Sequence, residues 1–282
     1  MDDREDFETE EPEPEPEWSP PRLSAQEKED IAALGPKDVR GLVYAFYAHQ
    51  RQRIRLDAQI REVEKAGGNP AALRPPRADF ALMESRLISR LGQWAIGRPG
   101  GEWSRSVWGV GPIISAGLAA HIDVSKTPTA GGVWRFAGLD PTLTWGKGEV
   151  RPYNANLKVL LWKLAGGWVR GGTNPKNFGG QLYRQRKAFE VARDEAGGNA
   201  AAAAASLERR TVKDKELKEL LQSGHLPAGQ LDLRARRWAE KLFLAAYHEQ
   251  VRGELGLPVP LPYALTLPGH AHRITPDDWV AE

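Results

Sequence analysis

The sequence predicts a mostly α protein. Apolar residues recur at helical spacing in most windows, and Gly and Pro gather where those windows end. Few windows show the two-residue alternation of a half-buried strand. Within this helical chain the sequence predicts a long N-terminal helical hairpin and a helix-hairpin-helix module.

Residues 1–22 repeat Glu-Pro and offer almost nothing to bury, so a disordered acidic tail is expected there. A helical N-terminal region follows over residues 23–100. SAQEKEDIAAL supplies Ser24 as a cap with acidic residues in the first turn, and Gly35-Pro36 stops it. Lys37 to Ala66 keeps helical spacing through Val39, Leu42, Val43, Phe46, Leu56, Ile60 and Val63. Gly67-Gly68-Asn69-Pro70 ends it. A second helix is expected from about Ala78 to Ile96, burying Phe80, Met83, Leu87, Leu91 and Trp94. Residues 101–195 form the next unit, with helices over Pro112–Ile122, Gly131–Ala137, Asn156–Val169 and Tyr183–Glu195. In the third of these Leu157, Leu160, Leu161, Leu164 and Trp168 make the buried stripe, and Trp162 is also placed in the core. TLTWGKGEVRPYN reads as a loop or small hairpin. Residues 196–256 form a C-terminal helical extension, with helices at Leu207–Ser223 and Leu231–Leu255 after the low-complexity GGNAAAAAA. A proline-rich extended tail is expected over 257–282.

The chain has 282 residues and no cysteine, which excludes disulfides, thiolate nucleophiles and Cys-ligated zinc. No apolar run is long enough to span a bilayer, and the acidic start is the opposite of a signal peptide, so a cytoplasmic location and no membrane partner are expected. The formal charge of +2 hides an asymmetry. Residues 1–30 hold 13 acidic against 3 basic groups, and the remaining 252 hold 36 basic against 24 acidic. A basic body with an acidic tail suits a nucleic-acid binder whose tail competes for the basic surface; two solubilising segments would look the same.

The turn VWGVGPIISAGLAAHID, Val107 to Asp123, invites a phosphate. A dinucleotide fingerprint would need its third glycine at position 114, which is Ile114. A triphosphate loop needs Gly-Lys followed by a hydroxyl, and Gly146-Lys147 is followed by Gly148. Ser115-Ala116-Gly117 lacks the first glycine of a nucleophile elbow, having Ile113 there, so Ser115 is expected to bond its own helix backbone. A helix-hairpin-helix remains, in which Gly109 and Gly111 let the turn approach a sugar–phosphate strand and Pro112 opens the next helix. A ligand-free interhelical turn is the alternative.

GVGPIISAGLAAHID, TAGGVWRFAGLDP and YNANLKVLLWKLA together resemble the C-terminal domain of Piv/MooV-type DEDD transposases and DNA invertases, over Val107 to about Val169. The ARRWAEKLFLAAYHEQVRGELG helix is similar, more loosely, to a helical extension in some members. The resemblance implies a helix-hairpin-helix domain that holds DNA, double-stranded or branched, with RNA as a second candidate. With the hairpin turn and the basic residues after it, DNA-contacting roles are expected for Gly109, Val110, Gly111, Ile113, Lys147, Arg151, Asn156 and Lys158. Family members also carry an RNase H-like domain with four metal-binding carboxylates, and a serine before glycine after the Gly-Leu-x-Pro motif. Here residues 1–100 show no strand bearing an aspartate, and Thr142 and Thr144 stand in place of a serine.

Other chemistry is sparse. His270 and His272 form an H-x-H that could take a metal only with Asp277 or Asp278, and a solvated tail is the simpler account, so no metal or other cofactor is expected. Trp103, Trp108 and Trp145 flank the glycine turns beside Arg105, Lys147 and Arg151, where nucleic acid could be held. Lys163, Arg184, Arg186, Lys187, Arg234, Arg236 and Arg237 extend the expected phosphate-contacting surface. The chain is thus expected to be a DNA-binding relative of mobile-element transposases without catalytic residues of its own. A divergent recombinase using Thr144, completed by a partner chain or guide RNA, stays open, as do a helical assembly protein and a homo-oligomer.

Overall fold

A computed structural model describes residues 22–209, 211–260 and 273–280. Eleven α-helices and three 3-10 turns, with no strand, make up the described residues. The acidic tail expected at 1–22 lies outside it except for Arg22, and so do His270 and His272.

Helix α1 (Ala25–Ala32) starts as its sequence dictates, in a reciprocal capping box between Ser24 and Glu27. Helices α2 (Pro36–Lys65) and α3 (Arg74–Ile96) are the expected antiparallel hairpin. Helix α3 begins a turn earlier than its periodicity suggests, because Pro75 and Pro76 fit a first turn that needs no N–H partners. Only the root of the hairpin is anchored by burial. Val39, Val43 and Phe46 are the buried residues of α2, and no residue of α3 before Glu84 is buried. Beyond that root the arms are tied by ion pairs, Arg53–Glu84 at 2.6 Å, Arg77–Asp57 at 2.9 Å and Arg74–Glu64 at 2.9 Å. Met83, expected inside, is consequently exposed.

Short α4 (Gly101–Ser106) leads through a turn into α5 (Pro112–His121), which is buried along most of its length. Helix α6 (Ala130–Phe136) carries Trp134, whose indole N–H donates to the Lys241 carbonyl at 2.8 Å. Helix α7 (Ala155–Arg170) runs antiparallel to α5. Asn154 caps α7 through the Leu157 N–H and donates its amide to His121 Nδ1 at 3.0 Å, while Trp168 at the other end holds the turn before α5. Helix α8 (Phe178–Glu195) and the long α11 (Ala228–Glu254) pack along one another. The polyalanine stretch is helical, in α9 (Ala200–Arg209), and α10 (Lys215–Gln222) follows, so the helix expected over Leu207–Ser223 is two. They close a small satellite core with Ala203, Leu221, Leu226 and Leu231.

The C-terminal segment departs most from expectation. Residues 276–279 form a 3-10 turn whose Trp279 is 1% exposed, between Trp168, Phe178 and Phe243. Val280 forms a single antiparallel bridge with Val107. A tryptophan here has a full apolar niche to fill, and that burial outweighs the extended preference of the surrounding prolines.

Candidate nucleic-acid interface

The turn between α4 and α5 is closed by the Val110 N–H donating to the Val107 carbonyl at 3.0 Å. Its two glycines answer different demands. Gly109 has φ +83°, and a Cβ there would stand 3.2 Å from Trp168 Cδ1. The same indole donates its N–H to the Trp108 carbonyl at 3.2 Å, so Trp168 fixes the turn from beneath. Gly111 has ordinary extended backbone (φ −78°, ψ 175°), and a Cβ would meet nothing within 4 Å. It caps α5 with no side chain to offer. The N–H groups of Gly111, Ile113 and Ile114 donate to no described residue. Pro112 brings no N–H at all, which leaves the amino end of α5 uncapped beside open space. Val110 and Ile113 are buried, so they can serve a ligand only through backbone.

The remaining expected residues lie elsewhere. Lys147 and Arg151 are exposed on the loop before α7, and Asn156 is exposed in its first turn. Lys158 is half-buried, its Nζ 4.5 Å from the Tyr153 ring centroid. Because α7 is antiparallel to α5, this group and the turn occupy opposite ends of the pair. The ten residues from Lys158 to Trp168 span about 15 Å. The structure therefore gives two patches rather than one site.

The basic runs of α8 and α11 are tied up internally. Glu190, 1% exposed, takes Arg186 at 2.5 Å and Arg234 at 3.5 Å. Asp232 takes Arg236 at 2.7 Å, Lys187 at 3.6 Å and the Tyr183 hydroxyl. Arg184 donates to the Gly172 carbonyl. Burial makes Arg237 less basic than an ordinary arginine. Arg186–Glu190 and Arg236–Asp232 are i, i+4 pairs within a helix, while Arg234–Glu190 and Lys187–Asp232 cross between α8 and α11, so these residues join helices.

The tryptophans also redistribute. Trp103 is buried, donating to the Pro276 carbonyl at 3.1 Å. Trp108 is half-buried against Gly171. Trp145 stays exposed, edge-on to Tyr153. Trp162, expected in the core, is 55% exposed on the outer face of α7.

Ser115 bonds α4 and not its own helix, donating to the Gly101 carbonyl at 3.4 Å. Its hydroxyl meets that of Ser104 at 2.7 Å in the buried α4–α5 contact. Thr144 is exposed, and no described residue hydrogen-bonds its hydroxyl. Among the described residues no three His, Asp or Glu side chains gather to hold a metal ion. A cavity of about 660 Å³ opens beside the carboxyl ends of α3, α5 and α11. Its cations are engaged: Arg40 donates to the Ala120 carbonyl at 2.7 Å, Arg98 to the Ala32 carbonyl at 2.8 Å, and Lys126 pairs with Asp123 at 3.0 Å.

No helix among the described residues is long and apolar enough to cross a membrane. No protein-family model, no characterised protein and no solved structure matches this chain.

Proposed function

We propose that this chain binds DNA through the phosphate backbone, presenting the Trp108–Gly111 turn and the amino end of α5 as a helix-hairpin-helix of the kind its sequence resembles in mobile-element transposases. One observation carries the reading. The amino end of α5 leaves three N–H groups without acceptors, next to a glycine whose missing side chain leaves the approach clear. Such donors, aligned with the helix dipole, favour an anion and read no base sequence. Lys147 and Arg151, exposed on the loop before α7 at the far end of the α5–α7 pair, add charge for a backbone long enough to reach both patches. Strand-transfer chemistry forms no part of the proposal.

The two glycines give the experiment its control. Gly111→Ala adds a methyl group to open space, so the melting temperature should hold while duplex affinity falls about ten-fold or more, the worth of a charge-assisted contact of about 1.5–3 kcal/mol. Gly109→Ala adds strain at positive φ and crowds Trp168, so it should lower the melting temperature. Duplex affinity unchanged in a folded Gly111→Ala variant overturns the reading.

A further inference from the structure

A second groove runs between α2 and α7, apart from the turn. It has a volume of about 270 Å³ and is lined by Arg40, Tyr44, Tyr47, Arg51, Val159 and Lys163 among others, with no carboxylate in its wall. Positions 40, 44, 47 and 51 fall on one stripe of α2 at helical spacing. The facing stripe of α7 supplies Val159 and Lys163 from successive turns.

Two properties separate this groove from an ordinary solvated helix face. The first is its charge. Neither Arg51 nor Lys163 has a carboxylate within ion-pair distance among the described residues, unlike Arg77 of α3 and Arg186 of α8. Lys163 is half-buried with its Nζ 4.1 Å from the Tyr47 ring centroid. Burial first, and then repulsion from Arg51 and Arg170, make it less basic than an ordinary lysine. An anion entering here would relieve that repulsion. The second property is apolar exposure. Tyr44 is 68% exposed and Val159 53% exposed on the two walls. Trp162, also largely exposed, stands one turn along α7 from Val159 and extends the aromatic surface beyond the rim. Flat aromatic faces interleaved with unpaired cations are what an unstacked base and its phosphate require.

We propose that the α2–α7 groove binds single-stranded DNA, a base stacking on Tyr44 while Arg51 and Lys163 meet the flanking phosphates. A duplex keeps its bases stacked inward and cannot use an aromatic wall of this kind. Val43 and Leu160 add apolar surface between the walls, and DNA rather than RNA follows from the DNA-binding reading above. The inference rests on the DNA-binding reading above and adds an unpaired strand to the substrate, as would occur beside a branch or nick.

The test titrates the full chain against a fluorescent oligothymidylate of roughly 12 nucleotides, a length within the usual span of one such site, and in parallel against a duplex. Tyr44→Ala should weaken oligothymidylate binding about five-fold or more, matching a stacking contact of about 1 kcal/mol or more. Tyr44→Phe should retain it, and duplex affinity should not change in either variant. Arg51→Ala should flatten the salt dependence by about 0.7. Gly111→Ala should do the reverse, weakening the duplex and sparing the single strand. Unchanged oligothymidylate affinity in Tyr44→Ala, with duplex binding still sensitive to Gly111, overturns the groove alone. Absent duplex binding, with a Tyr44-dependent single-strand signal, overturns the turn alone. Tighter binding of an oligouridylate of equal length, or displacement by polyglutamate without any Tyr44 dependence, replaces single-stranded DNA by RNA or by an acidic protein segment and overturns the proposal.

Discussion

One buried and one half-buried titratable side chain set opposite pH limits. Glu240 on α11 is 4% exposed, and burial pushes its carboxyl up to about 7 even though Arg237, Lys158 and Arg236 are near. Between its unfolded value near 4.5 and about 7 the folded protein holds a proton that the unfolded chain has lost. Its contribution therefore falls as pH rises through that window. His121 behaves oppositely. Burial and then Arg40 press its pKa down to about 4, and the Asn154 amide donating to Nδ1 requires that nitrogen to be unprotonated. The unfolded imidazole takes a proton from about 6.5 downward, so this contribution is lost as pH falls from about 6.5 to about 4. Glu240→Gln should match the parent near pH 4 and exceed it at pH 8 by up to about 3 kcal/mol in urea unfolding. A variant no more stable than the parent at pH 8 would show that the nearby cations already compensate the buried charge. His121→Asn, which keeps an acceptor for Asn154, should flatten the loss of stability below pH 6.5.

The short C-terminal turn is an element whose worth exceeds its length. Trp279 fills the space between Trp168, Phe178 and Phe243, and its indole N–H has no acceptor among the described residues. Trp279→Ala should cost about 3–5 kcal/mol in denaturant unfolding, whereas Trp279→Phe discards an unsatisfied donor and should cost much less. Equal losses would mean that the indole donor is satisfied by water. This element also marks the limit of what sequence periodicity can tell. Helices α2, α3, α7 and α11 were legible because each repeats its apolar stripe over several turns. GEWSRS in α4 is too short to show a period, and Trp279 sits among prolines with Trp168 and Phe178 more than a hundred residues upstream. Trp162 misled for a related reason: composition places a tryptophan inside, and only the position of α2 decides which face of α7 stays open. At the site, the glycine turn was legible as a local pattern. The separation of Lys158 from that turn was not, because it follows from the antiparallel packing of α5 and α7.

At the scale of the molecule, charge is distributed in opposition. Residues 1–30 carry 13 acidic against 3 basic groups, and the other 252 carry 36 basic against 24 acidic. Helices α8 and α11 are close to balanced, with 9 basic against 7 acidic groups, so most of the basic excess lies on the other segments. Deleting residues 1–22 should tighten duplex binding at low salt and steepen its salt dependence, because a competing polyanion is removed. Identical isotherms for the two chains would assign the acidic segment to solubility alone. A different consequence follows from the bridge between Val107 and Val280 and the bond from Trp103 to Pro276, which join positions 173 apart in sequence. The loop that these contacts close is most of the chain, and closing it costs entropy before any packing is gained. The turn is therefore finished late. A ribosome that has completed α5, α7 and α11 still exposes a Trp168 without its lid, and the α4–α5 turn gains the bridge to Val280 only when residues 276–280 emerge. Synthesis itself thus delays the moment at which this turn is fully braced.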